Sequence, residues 1–300
     1  MVFLVFTAWL ILSQVMISLV QAFFASAGYG FLAGITYAAQ AGAHVVFIWI
    51  FRSHLPHAAG KKEAGLKNGL QMVLFSAMTG IGLCMAHRVL FFLFPQIAQS
   101  TLGQMTAEEQ SRILNSARTP AHFLYVGLIG PVLEELVFRG ILFNCCSGKY
   151  GRWYPVFITT LLFAVFHRNP VQFASAICMG LVLGSLLTLT GDIRITMMIH
   201  ISNNVFSVMQ SLFVKSGPEF SLSPAGIIAS VLMGFLFLVW GFVQIKKGGP
   251  GGNHNADKGF WPAAAIGQSP CRHRQMIHCP AFFQIPGSKH RIYPSTHQYG

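Results

Sequence analysis

Charge is scarce in this chain. Only 9% of its 300 residues are Asp, Glu, Lys or Arg, against 53% hydrophobic, and the mean hydropathy is +0.56. A soluble domain carries about 25% charged residues, so this shortage argues against a water-soluble fold and predicts an integral membrane protein. Disulfides are not laid out either. Of six cysteines, Cys84 and Cys178 lie in apolar runs, Cys145 and Cys146 just past another, and only Cys271 and Cys279 stand outside. Single buried cysteines act as small hydrophobes; the 145–146 pair could be acylated at the membrane edge, but packing is the expected role. No internal repeat is evident, which weakens a carrier built from symmetric halves. No positive region precedes the apolar run 2–24, and that run exceeds the roughly 7–15 residues of a signal-peptide core, so a retained first span is expected.

The chain is basic, but the distribution matters more than the total. Of the net charge of +12, the seven Lys/Arg and one acid from Lys246 onward supply half. The remaining positives lie mainly in loops beside apolar runs, where membrane topology accounts for them. Nucleic acid is not an expected partner; the lipid bilayer is.

At about 20 apolar residues per crossing, the expected architecture is an all-α, polytopic transmembrane helix bundle of about eight spans: 2–23, 29–51, 69–95, 121–143, 154–167, 171–190, 194–214 and 224–245. The fifth is short and ends before Pro170, which cannot simply continue a helix. Gly191-Asp192 marks a turn between the sixth and seventh. The basic loops after spans two, four and eight fall on one side, so both termini are expected in the cytoplasm, with the balanced loop 96–120 outside. The domain reading is 1–119 for the N-terminal helices and loops, 120–214 for a core, 215–245 for the last span and 246–300 for a disordered basic tail rich in Gly, Pro and His. Cys271, His273, His278 and Cys279 in that tail lack the paired spacing of a structural zinc site.

Two of the eight acids, Glu134 and Glu135, fall inside the fourth span, with Arg139 four residues on. A charge at the bilayer centre costs roughly 2.5–3.5 kcal/mol on insertion scales, so these residues need a reason. Glu135 and Arg139 are i, i+4 and can pair on one helix face. Glu134, rotated by about 100° on an α-helix of 3.6 residues per turn, cannot easily share the same fork. One carboxylate is then held structurally while the other is free to act; the competing view is that both are purely structural. His167 closes the fifth span. His200 and Asn204 lie one turn apart in the seventh, either as interhelical hydrogen-bonding groups or as part of a site, and Asn203 could substitute for Asn204. From the helical rise, Glu134 and His200 reach one level in the cytoplasmic half, while His167 looks about 10 Å too deep unless its helix is tilted or starts later.

Glu134-Glu135-x-x-x-Arg139, Phe163-x-x-x-His167 and His200-x-x-x-Asn204, in this order on three apolar helices, resemble the CPBP intramembrane proteases. These are the type II CAAX prenyl endopeptidase-like and bacteriocin-processing enzymes, formerly the abortive-infection domain. The likeness covers roughly residues 120–210. It implies a helical bundle with a cavity open to the cytoplasm, and an endopeptidase in which Glu134 and His167 polarise a water. It implies that His200 and Asn204 donate to the oxyanion, and that Glu135 and Arg139 hold the helix geometry. The family is often labelled metalloprotease, and Glu134, His167 and His200 could form a His₂Glu zinc site with one open position. No H-E-x-x-H helix exists, and Asn204 suits an oxyanion donor better than a ligand. The expectation is a metal-free water, with no cofactor. The partner would be a peptide or membrane-protein substrate, in a plasma or inner membrane, or the endoplasmic reticulum of a eukaryote. The alternatives are a non-enzymatic immunity or chaperone-like membrane protein and, less favoured, a proton-coupled carrier.

Overall fold

Unbroken apolar runs bounded by proline, glycine and polar caps fold here as helices packed side by side. The structure, a computed structural model, describes residues 2–24, 26, 28–55, 66–86, 119–147, 151, 153–167, 170–213 and 224–248. All of them belong to one compact unit, Met1–Phe260. Residues 87–95 of the expected third span, the loop 96–118, Arg168 and Asn169, residues 214–223 and the tail from 249, with Cys271, His273, His278 and Cys279, lie outside the described residues.

Eight helices are described: α1 (Val2–Phe23), α2 (Tyr29–Ile50), α3 (Leu66–Ala86), α4 (120–146), α5 (Tyr154–Phe166), α6 (Pro170–Thr190), α7 (Ile193–Phe213) and α8 (Pro224–Gly248). No strand occurs among the described residues. Five helices hold stretches long and apolar enough to cross a membrane: Phe6–Phe23, Phe31–Ile50, Gly69–Ala86, Gln172–Thr190 and Ile228–Ile245. Helix α5 is shorter, and α4 and α7 carry the charged and polar side chains. Large apolar residues such as Leu12, Phe23, Trp49, Leu70 and Leu236 point outward. In water such a surface would aggregate; in a bilayer it faces lipid. The molecule is an all-helical integral membrane bundle.

Proline sits in the first turn of α4, α5, α6 and α8, where its missing N–H has no helical partner to lose. Thr119 caps α4, its hydroxyl accepting from the His122 amide at 3.3 Å. Between α6 and α7, Gly191 adopts the left-handed φ of 64° that ends helices cheaply only at glycine. Asp192 then caps α7, accepting from the Arg194 amide at 3.0 Å. The turn expected at Gly191-Asp192 is therefore present.

Helix α4 runs through the middle. Its Val137, Phe138, Ile141 and Leu142 are buried against Phe6 of α1, Phe47 of α2, Phe163 of α5, Leu183 of α6 and Ile195 and Ile199 of α7. Phe138 meets Phe6, Phe163 and Phe166 edge-on, with ring centroids 5.6, 5.1 and 5.5 Å apart. Helix α3 packs on both α7 and α8. At Gly80 a Cβ would fall on the Ile199 carbonyl and 2.9 Å from the Asn203 amide nitrogen. Backbone therefore touches backbone at the turn of α7 that carries His200.

The expected regular span over 121–143 is not regular. Within α4, Phe123–Ile129 and Leu136–Leu142 are π-helical, and Gly130–Glu135 between them is α-helical. Pro131 is the physical reason for the first widening: it has no N–H and its ring crowds the carbonyl four residues back. The Gly130 amide reaches to the Tyr125 carbonyl, five residues back. In that register the Val126 carbonyl would look to residue 131, which cannot donate. Such π segments are frequent at functional sites. No comparable local cause is visible for the second.

Candidate active site

The α-helical turn between the two π segments ends with Glu134 and Glu135, so their adjacency is set in regular geometry while both flanks are widened. Glu135 is sealed: its side chain and that of Arg139 have no exposure, and Arg139 Nη1 donates to Glu135 Oε1 at 3.0 Å. The guanidinium carbon also lies 4.4 Å from the centroid of the Phe163 ring, a cation–π arrangement. Glu134 differs, because its side chain keeps 13% exposure. Of two neighbouring carboxylates, only Glu134 is open to a water or a substrate.

His200 joins the pair from α7. Its Nδ1 lies 3.0 Å from Glu135 Oε1 and its Nε2 3.8 Å from Glu134 Oε2. The Nδ1 proton goes to the Glu135 carboxylate, which leaves Nε2 on the side of Glu134. With Nδ1 donating, Nε2 donates as well only when the ring carries both protons.

His167 stands at the C-terminal end of α5, its Nδ1 2.8 Å from the Phe163 carbonyl. A carbonyl only accepts, so Nδ1 carries the proton and Nε2 presents a lone pair. Helix α5 begins at Tyr154, so a later helix start does not account for the depth expected of His167. The rings of His167 and His200 both pack against Phe163, with centroids 4.7 and 5.7 Å from it. No hydrogen bond or ion pair joins Glu134 to His167 among the described residues.

Asn204 is held by the defect in α4. Its Nδ2 donates to the Val126 carbonyl at 2.9 Å, and its Oδ1 accepts from Asn203 Nδ2 at 3.0 Å. Asn203 thus supports the Asn204 amide through that bond. One Asn204 amide hydrogen remains after the bond to Val126.

Among the described residues no three His, Cys, Asp or Glu side chains converge closely enough to hold an ion, so Glu134, His167 and His200 as placed do not make a shared coordination shell.

The motif residues are thus drawn from α4, α5 and α7 around Phe163. Two contributors escaped the sequence: the Val126 carbonyl, exposed by a proline five residues on, and Phe163, which the motif includes without assigning it a role.

Residues 116–206 match the family described as type II CAAX prenyl endopeptidase Rce1-like. The chain is 28% identical over 163 residues to the membrane-embedded CAAX protease MroQ of Staphylococcus aureus (strain USA300), covering 51% of this chain and 64% of that one. It is 23% identical over 111 residues to YdiL of Bacillus subtilis (strain 168), named a membrane peptidase only provisionally, covering 37% and 46%. The chain therefore spans less than two thirds of either relative. No solved structure gives a significant match. The matched residues 116–206 include the two glutamates, both histidines and Asn204, so the likeness to the type II CAAX prenyl endopeptidase Rce1-like family falls on the residues of this site.

Proposed function

We propose that this protein is an intramembrane endopeptidase in which Glu134 and His167 activate a water against a peptide carbonyl. The observation that carries the reading is the unlike state of the two carboxylates: Glu135 sealed against Arg139 and His200, Glu134 partly open. Neighbouring acids in different surroundings are how one fold separates a reacting group from a supporting one. Glu134 takes a proton from the water, and the resulting hydroxide adds to the carbonyl carbon. The carbonyl π pair moves onto oxygen, where His200 Nε2–H and the remaining Asn204 N–H donate to it. Collapse breaks the C–N bond, and the proton held by Glu134 goes to the leaving amine. General-base help of this kind supplies about 10²–10⁴-fold. His167 accepts from the same water at its Nε2 lone pair and fixes its orientation. The reading needs no metal or cofactor.

The substrate class is a peptide or membrane protein presented from the cytoplasmic side. A prenylated C-terminal tetrapeptide, a bacteriocin leader and another membrane protein all suit such a site. Comparing the membrane proteome of cells carrying the wild type with cells carrying Glu134→Gln tests the proposal. New protein N-termini that depend on Glu134 support it, and identical terminal peptides in both samples would refute it.

A further inference from the structure

Among the buried donors of α4 that the proposed mechanism leaves unused is the Tyr125 hydroxyl. Tyr125 is only 6% exposed, and its hydroxyl is buried with no hydrogen-bond partner in the structure. A phenol in that state forgoes a hydrogen bond that it could make in water, so an unmet tyrosine hydroxyl in a core calls for an explanation. Its ring has two neighbours. Tyr37 of α2 stacks on it at 5.1 Å and 14°, and the Tyr37 hydroxyl is itself anchored to His122 Nδ1 at 2.7 Å. Gly130 also lies beside the ring: a Cβ there would sit 3.5 and 3.7 Å from Tyr125 Cε1 and Cζ. Cζ carries the hydroxyl, so the phenol leans along α4 towards its C-terminal part. Gly130 is four residues before Glu134, on the same helix face, and the phenol is within electrostatic reach of the Glu134 carboxylate. The next residue along α4, Val126, holds Asn204 through its carbonyl, so the same turn of α4 carries the phenol and anchors Asn204.

We propose that the Tyr125 hydroxyl is a further catalytic donor, supplying a hydrogen bond to the tetrahedral oxyanion formed when the Glu134-activated water adds to the substrate carbonyl. The inference rests on the endopeptidase reading. The phenol keeps its proton throughout: it stabilises the oxyanion and releases it when the C–N bond breaks. Asn204 has already committed one amide hydrogen to Val126, and Tyr125 completes the set of donors.

The test is Tyr125→Phe, which removes one oxygen and keeps the ring beside Tyr37 and Gly130. Loss of an oxyanion donor lowers kcat by about 10²–10³. The expected result is a fall of that order with KM unchanged within about twofold and an unaltered melting midpoint. A phosphinate peptide, mimicking the tetrahedral species, should bind correspondingly less tightly, while the substrate peptide binds Glu134→Gln with or without the Tyr125 hydroxyl equally well. Wild-type kcat in Tyr125→Phe, or a loss confined to KM or to the melting midpoint, overturns the inference. Glu134→Gln run alongside separates the two readings. If Glu134→Gln is inactive and Tyr125→Phe is not impaired, only the tyrosine proposal fails; if wild type does not cleave or Glu134→Gln does, both fail.

Discussion

His200 Nδ1 and Glu135 Oε1 are 3.0 Å apart, and the same oxygen accepts from Arg139 at 3.0 Å. One carboxylate oxygen thereby ties α4 to α7 and neutralises the buried guanidinium. Breaking a buried ion pair by removing one partner costs about 3–5 kcal/mol, because a charge is left alone. Glu135→Ala should therefore lower the melting midpoint in detergent sharply, while Glu134→Gln, whose residue is partly open, should leave it nearly unchanged. Equal midpoints for the two variants would contradict this division.

The Glu135–Arg139 pair should also behave as a unit. Residues sharing one ion pair show coupling energies of about 0.5–3 kcal/mol, and apolar replacement of both partners is better tolerated than loss of either. The double variant Glu135→Leu/Arg139→Met is expected to be more stable than the sum of the single losses predicts, in chemical denaturation of the reconstituted protein. Strict additivity would show that the pair contributes no coupling.

Much of this pairing was legible in the sequence. Glu135 and Arg139 are i, i+4, and the motif order located the helices that meet at the site. Two things were not legible. Periodicity assumes 3.6 residues per turn, yet Pro131 shifts the turn before it to a π register, and that shift frees the carbonyl that positions Asn204. The shared contact of His167 and His200 with Phe163 was not legible either, because rise per residue along one helix says nothing of a ring that two helices share. Arg139 over Phe163 was hidden for the same reason: the partners are far apart in sequence and neither residue's local pattern indicates the other.

The Pro131 defect makes a coupled prediction. Asn204→Ala leaves the half-buried Val126 carbonyl without its donor, at a cost of about 0.5–1.5 kcal/mol. Pro131→Ala returns an N–H to the position five residues beyond Val126. The stability loss from Asn204→Ala should accordingly shrink in the Pro131→Ala background, measured as a double-mutant cycle of melting free energies. The same loss in both backgrounds would mean that the proline does not set the carbonyl's state.

Gly80 predicts a long-range effect on activity. A methyl there meets the α7 backbone at Ile199 and Asn203, and forced overpacking costs about 1–3 kcal/mol. Displacement of the turn carrying His200 by about 1 Å can cost 10²-fold in rate, so Gly80→Ala should lose activity as well as stability. Gly42, where a Cβ would meet nothing within 4 Å, is the control: Gly42→Ala in mid-helix should be neutral or stabilising by up to about 1 kcal/mol. Comparable kinetics for both variants would show that the α3–α7 contact does not position the site.

Metal dependence is checked by turnover of purified protein before and after exhaustive chelation, with metal content measured in both samples. Unchanged turnover in metal-depleted protein is the expected result. Loss on chelation with recovery on adding zinc would assign Glu134, His167 and His200 to a metal after all.

The central claim is that Glu134 is the base, and the most direct measurement is single-turnover cleavage of a membrane substrate by wild type and Glu134→Gln at matched folding. The account predicts that the variant retains its melting midpoint and binds substrate, but cleaves at least about 10²-fold more slowly, the lower end of what a positioned general base supplies. Cleavage by folded Glu134→Gln at the wild-type rate would contradict it.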